Sequence, residues 1–325
     1  MKRSSARADT YSKGILIPTR NNETQLAATL DRLVHQNTGF EILVIDSSST
    51  DRTRDIASDY GVRLHIVPRM DFNHGATRET GRKLLATDIV VMMTADAVAS
   101  NDSAIRKLID PIVKGQAAIA YGRQQPRKDA DPFEAVPRLF NYPAESQIRS
   151  IADISKYGVY TFFCSNSFAA YLNSALDEVG GFDELLTNED YFAAAKILQK
   201  GYRIAYVADA LVEHSHKYTI AEDFKRYFDT GYVRAERQWV SRLAGQAEGR
   251  GLKLLGMTLA ALRKYNLFLL PKAFFVFFVR WLGFRIGYLA LHLPGGFNKK
   301  LSSQPYYWDS EYYRSNINRR KDGKL

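Results

Sequence analysis

A single cysteine, Cys164, is all that the 325-residue chain contains. That excludes an internal disulfide and a cysteine-built zinc site, and it fits a reducing compartment. Acidic residues are in deficit. Against 45 Lys and Arg stand 35 Asp and Glu, a formal charge of +10 that asks for an anionic partner: nucleic acid, a phosphorylated substrate or a membrane surface. Nucleic acid is the weakest of these, because helix-turn-helix, zinc-finger and aromatic RNA-binding patterns are all missing. Much of the basic excess lies at the ends, in Lys2, Arg3 and Arg7 and in Arg314, Arg319, Arg320, Lys321 and Lys324, where solvated flexible tails are the plain alternative. The first residues are charged and have no apolar core, so no signal peptide is expected. No internal repeat is present. A chain of this length buries a sizeable core, enough for a large α/β domain with an appendage.

What is there, in the first half, is an alternation of short apolar runs with helical patterns. Gly14–Pro18, Phe40–Asp46, Val62–Val67, Asp88–Met93 and Ala117–Tyr121 read as strands. Between them, Leu26, Leu30, Leu33 and Val34 recur at helical spacing, Thr50 is a candidate cap for a helix to about Tyr60, and helices are expected near 75–86 and 103–114. Such alternation implies parallel strands covered on both faces, with ligands bound beyond the strands' carboxyl ends. Residues 123–160 carry Pro126, Pro132, Pro137 and Pro143 and read as a long excursion, partly helical, that covers a substrate. Regular structure returns with Thr161–Phe163, a helix near Asn188–Lys200 and the strand Tyr202–Val207, and beyond Ala221 the chain turns helical, aromatic and basic.

The strand-end loops hold the chemistry. Asp46 ends a strand, where a carboxylate can accept the imide N–H of a pyrimidine base or close an Asx turn. Asp96, in Thr94-Ala95-Asp96, can hold Mg²⁺ or Mn²⁺, whose charge helps a nucleoside diphosphate depart, or can serve a structural turn. In Phe72-Asn73-His74-Gly75-Ala76-Thr77-Arg78, Gly75 permits close backbone approach, a helix start offers N–H groups to an anion, and Arg78 can meet a phosphate, stack on a base or be a solvated helical residue. Glu189 and Asp190 open a helix, where the dipole alone favours acids; the functional reading makes Asp190 a general base and Glu189 an acceptor-orienting group. His214 and His216, two apart, face one side if extended and can add an imidazole ligand to a metal at Asp96.

In this order, Ile17-Pro18-Thr19-Arg20-Asn21-Asn22-Glu23, Val44-Ile45-Asp46-Ser47-Ser48-Ser49-Thr50-Asp51, the Asp96 loop and Asn188-Glu189-Asp190 resemble family 2 glycosyltransferases of the GT-A fold over residues 13–220. The 72–78 segment, Tyr206-Val207-Ala208-Asp209-Ala210 and His214-Ser215-His216 look like the rhamnosyltransferase branch of polysaccharide and O-antigen assembly. The resemblance implies an inverting transfer of a sugar, L-rhamnose from a dTDP donor first among dTDP-, UDP- and GDP-sugars. It assigns the nucleotide-sugar pocket to Pro18, Thr19, Arg20, Glu23, Asp46, Ser48, His74, Gly75, Arg78, Thr94, Ala95 and Asp96, the catalytic roles to Asp190 and Glu189, and the metal to Asp96 with His214 or His216. Two positions depart from the wider pattern: Thr94 stands where many relatives have the first Asp of Asp-x-Asp, and Glu79 where Asn is common.

The expected organisation is a flexible basic segment 1–12, a GT-A domain 13–220 with nucleotide-binding (13–122) and acceptor-binding (123–220) halves, and a helical region 221–325. In the last, Leu267–Leu293 is the most apolar stretch, but Lys272, Arg280 and Arg285 interrupt it and Pro271 breaks its start. It reads as an interfacial helix at the inner face of the cytoplasmic membrane, where a polyprenyl-diphosphate-linked acceptor would lie, or as a helix packed on the domain or on a second copy in a homodimer. Two other functions fit a similar sheet. A sugar nucleotidyltransferase needs a Gly-rich basic loop after the first strand, and Thr19–Glu23 has no glycine; a non-catalytic scaffold would not need Asp46, Arg78 and Asp190 together.

Overall fold

The computed structural model describes residues 11–34, 39–245 and 249–321. Lys2, Arg3, Arg7 and Lys324, and the side chains of Arg319, Arg320 and Lys321, lie outside the described residues. The apolar runs of the first half form β1 (Lys13–Thr19), β2 (Glu41–Asp46), β3 (Arg63–Ile66) and β4 (Ile89–Met93), parallel in the order β3-β2-β1-β4. They are joined through α1 (Glu23–Val34), α2 (Thr53–Asp59) and α3 (His74–Leu85). Because side chains alternate along a strand, Ile89, Val91 and Met93 join Leu26 and Leu30 of α1 in one core, while Val90 and Met92 enter the other. Thr50 does not cap α2. The helix starts later, at Thr53, whose N–H donates to Asp51 Oδ1 at 3.0 Å, while the Thr50 N–H donates to Asn21.

The second half comprises β5 (Val98–Ala99), α4 (Ala104–Val113), β6 (Ile119–Gln125), α5 (Pro132–Asn141), β7 (Gln147–Arg149), β8 (Phe168–Leu172), α6 (Glu189–Gln199) and β9 (Ile204–Glu213). The sheet is mixed here, as expected of the GT-A fold, and the strands read from the sequence are the parallel ones. β8 runs antiparallel between β4 and β6, and the sheet continues through β9, parallel to β6, to antiparallel β5, with β7 also on β9. β8 carries no alternation because it is buried on both faces, so its sequence, Phe-Ala-Ala-Tyr-Leu, lacks the period of a half-exposed strand. Thr161 and Phe162 instead lie in a 3₁₀ turn, Gly158–Phe162. The excursion after β6 is partly helical as expected, with Asp131 capping α5 through the N–H groups of Phe133 and Glu134.

β9 is longer than its apolar start suggested. The pairing with β6 jumps from Gly122–Val207 to Arg123–Leu211, a bulge that lets β9 run on to Glu213. A side chain on Gly122 would collide with the Phe168 ring and the Ala210 carbonyl.

The longest C-terminal helices among the described residues are α7 (Ile220–Glu236), α8 (Arg250–Tyr265) and α9 (Leu270–Leu289). α7 and α9 pack backbone to backbone: a Cβ on Gly231 would strike the Phe284 carbonyl, and one on Gly287 the Phe228 carbonyl. Arg280 therefore points inward, paired with Asp223 of α7 at 2.8 Å, and does not interrupt the outer face of α9. That outer face exposes Phe274, Phe275, Phe278 and Trp281, and nearby Phe268 is 93% exposed. Leu267–His292 is long and apolar enough to cross a membrane by length and composition alone.

Candidate active site

The β5–β9 pairing builds the first cluster. Val98 lies opposite Glu213 and Ala99 opposite Val212. Continued by two residues, this antiparallel register sets Asp96 against Ser215, with a histidine on either side. Asp96 Oδ1 lies 3.5 Å from His214 Nε2 and Oδ2 lies 3.3 Å from His216 Nε2, and the three ligand atoms fall within 4.8 Å of one another. His214 Nδ1 meets Gln124 Oε1 at 2.8 Å, and the Gln124 amide in turn donates to Ser165 Oγ. With Nδ1 so engaged, Nε2 keeps its lone pair, and this buried nitrogen makes no hydrogen bond. Burial pushes His216 down to about 4, so its ring is neutral at physiological pH. A carboxylate and two imidazoles suit a divalent first-row ion, so the residues present fit the metal that the sequence suggests.

The second cluster stands at the start of α6, whose first turn follows Asn188 in a left-handed conformation (φ 64°). Glu189 is buried and pairs with Arg78 of α3 at 2.9 Å, the guanidinium also donating to the His74 carbonyl. Burial raises the Glu189 pKa, but Arg78 and His74 outweigh it and hold the acid below its ordinary range. Asp190 has no such cation. Burial first, and the Glu189 charge second, push it up to about 7, although its carboxylate accepts the backbone N–H groups of Asn166 and Tyr191. Neighbouring carboxylates with pKa values driven apart are the physical signature of a division of labour between charge and proton transfer. Burial also lowers His74 to about 4, and its Nε2 lies 3.3 Å from the Gln304 amide.

The residues read as a nucleotide pocket divide. His74, Arg78 and Thr94 line a cavity of about 610 Å³ together with Glu189, Asp190 and His216. Two details differ from the expectation. The Gly75 and Ala76 N–H groups are not offered to an anion, because Asn73 Oδ1 accepts both, and the close approach at Gly75 is to the Asp183 carbonyl. Arg78 is not solvated; it is buried, with Nη1 paired to Glu189. At the other strand ends, Asp46 is fully buried and closes a turn, accepting from both the N–H and the hydroxyl of Ser49. Ser48 donates to the Val67 carbonyl, Glu23 accepts the Arg52 N–H, Arg20 is exposed, and the buried Thr19 hydroxyl has no partner. Pro18 is part-exposed at the end of β1, and the Ala95 carbonyl accepts from Thr29. Glu79, the other departure, binds Arg82 and the Phe182 N–H.

Several functional neighbours escape sequence reasoning. Asn166 donates its N–H to Asp190 and its side-chain amide to Glu189, so one residue tethers both acids. Gln124 orients His214, and Glu134 steadies the histidine segment by accepting from Ser215 Oγ at 2.5 Å.

Residues 14–180 match the model of glycosyl transferase family 2, and residues 162–308 that of glycosyl transferase family 21. The chain belongs to glycosyl transferase family 2. It is 38% identical to the O-antigen chain rhamnosyltransferase RfbN of Salmonella typhimurium over 309 residues, 93% of this chain and 97% of that one. It is 40% identical to the O-antigen chain rhamnosyltransferase WbaN of Salmonella anatum over 280 residues, 85% and 88% of the two chains. Among solved structures, the mannosyltransferase PcManGT from Pyrobaculum calidifontis, in complex with GDP-Man and Mn²⁺, matches with a TM-score of 0.55 and 17% identity over 92% of this chain and 85% of that one. S. aureus TarS 1-349 in complex with UDP matches with a TM-score of 0.50 and 16% identity, over 86% and 91%. At such identities these structures establish the fold, which is GT-A. The chain is accordingly a glycosyltransferase with a mixed sheet and a helical C-terminal region.

Proposed function

We propose that this glycosyltransferase moves L-rhamnose, with inversion, from dTDP-rhamnose to a lipid-linked saccharide during surface-polysaccharide assembly. The observation that carries the catalytic part is the split between Glu189 and Asp190 inside one cavity that His216 of the Asp/His triad also lines. The rhamnosyltransferase names of RfbN and WbaN support this choice of sugar. In the reaction the Asp190 carboxylate takes the proton of an acceptor hydroxyl, and the oxygen attacks the anomeric carbon. The bond from that carbon to the diphosphate oxygen breaks, and dTDP leaves with the electron pair. Glu189, kept ionised by Arg78, orients the acceptor and keeps Asp190 basic. Asp96, His214 and His216 would hold Mn²⁺ or Mg²⁺, which offsets charge developing on the departing diphosphate.

For the acceptor side, the exposed aromatic face of α9 supports contact with a lipid surface. The opposite face of α9 is packed on α7, which carries Asp223, Arg226, Tyr227 and Thr230 into the cavity, so the pair fits an interfacial position better than a spanning one. The deciding experiment is transfer of radiolabelled rhamnose from dTDP-rhamnose to membrane-extracted lipid acceptor in Mn²⁺, with UDP- and GDP-sugars in parallel. Transfer from the dTDP donor alone supports the reading. Transfer only from another donor replaces the sugar, and turnover unchanged in Asp190→Asn would remove the proposed base.

A further inference from the structure

Three of the cavity's other carboxylates are paired with arginines, while Asp229 is held through Oδ2 and its buried Oδ1 has no hydrogen-bond partner among the described residues. Glu189 pairs with Arg78, Asp223 with Arg280 and Glu134 with Arg127, and Asp229 Oδ2 accepts from the N–H and hydroxyl of Ser303. Two guanidinium groups on the same wall are not answered. Arg138 of α5 and Arg226 of α7 both line the cavity, and among the described residues neither has a carboxylate within ion-pair distance. Arg138 is anchored by its Nε, which donates to the His214 carbonyl at 3.0 Å, so its terminal nitrogens remain for another partner. The Arg226 guanidinium lies 3.9 Å from the centre of the Tyr218 ring, which in turn sits 5.4 Å from that of His216. Arg138 is tied to His214, and Arg226 stacks on the Tyr218 ring that adjoins His216, so both lie beside the Asp/His triad.

Unanswered cations in a partly enclosed cavity favour an anion, and a guanidinium fork matches phosphate oxygens two at a time. We propose that Arg138 and Arg226 form a clamp for a diphosphate group next to Asp96, His214 and His216. This rests on the transferase reading, in which two diphosphates come to the cavity. One is the donor's, adjoining the triad. The other belongs to a lipid-linked acceptor entering past Leu254 and Arg280, which line the cavity from α8 and α9.

The test reads binding in the full chain, by titration calorimetry with inorganic diphosphate in EDTA, comparing wild type with R138Q and R226Q. Because charge-assisted hydrogen bonds are lost, binding is expected to weaken by about 10- to 100-fold in each variant. R138K and R226K, which keep charge but not the fork, should recover part of it, and that recovery separates a clamp from a folding defect. Equal binding in all variants, or none in wild type, overturns the proposal. Repeating the titration with dTDP, and with farnesyl diphosphate in detergent micelles, separates the sources. A loss with dTDP assigns the clamp to the leaving group, a loss with farnesyl diphosphate to the acceptor, and a loss with neither overturns it. A clamp that binds inorganic diphosphate in a protein that transfers no sugar would leave this inference standing and the transferase reading fallen.

Discussion

Two edges of one sheet carry similar polar side chains and treat them in opposite ways. At the β1–β2 edge, Asn21, Glu23, Asp46, Ser49 and Asp51 bond one another's backbone and hydroxyl groups across the two loops. At the β4–β9 edge, His214 Nε2 is buried without a hydrogen bond, Asp190 is pushed up to about 7, and two arginines lack carboxylate partners. Satisfied polar groups hold loops; unsatisfied or pKa-shifted ones in a cavity are where substrate and metal complete the structure. On the proposed function the second edge is the reactive one, while at the first most polar groups hold the loops and the buried Thr19 and Ser47 hydroxyls lack partners among the described residues.

The sharpest test of this contrast removes the base. Asp190→Asn keeps the shape and one of the two backbone hydrogen bonds but cannot accept a proton, so turnover should fall by about 10²- to 10⁴-fold while binding of dTDP is retained. Next is Gln124→Leu, which leaves the three ligands in place and removes only the group that orients His214. Mn²⁺ affinity, read by calorimetry, should weaken by about 10- to 100-fold. An unchanged affinity would mean that His214 needs no orientation. The third is the pH profile. Asp190 must be ionised to act, and burial beside Glu189 raises its pKa to about 7, so activity should be full above that pH. Below it, kcat/KM should drop about tenfold per unit as the carboxylate protonates. A limb displaced well to the acid side would mean that Asp190 is not the titrating base.

The two edges also differ in how legible they were. Asp46, Asp96, Asp190 and both histidines were visible because apolar runs end beside them, and strand ends are where α/β sheets bind ligands. Sequence spacing could not tell the satisfied Asp46 from the unsatisfied His214, since that depends on which loop meets which. Asn166 was invisible because it precedes β8, whose doubly buried residues have no strand period. Gln124 reaches His214 only through the β6–β9 bulge, a register effect that no local pattern encodes. The amphipathic character of α9 was misjudged at Arg280, which local sequence counts as an interruption but which Asp223 takes inside.

The smallest expected effect on the chemistry comes from the satisfied edge, and it is the one able to break the comparison. Asp46→Ala removes a buried acceptor for two Ser49 donors, so the protein should lose about 1–3 kcal/mol of stability in denaturant melts. Mn²⁺ affinity and the acid limb of the pH profile should not move, because neither depends on this loop. The alternative is specific: a carboxylate that also reads the base imide would show near-normal stability but a marked loss of dTDP affinity. For that to happen, the fully buried Asp46 would have to turn an oxygen away from Ser49 when the nucleotide arrives. Measuring melt and dTDP titration on the same variant decides between a turn that only holds the loop and one that opens to its ligand.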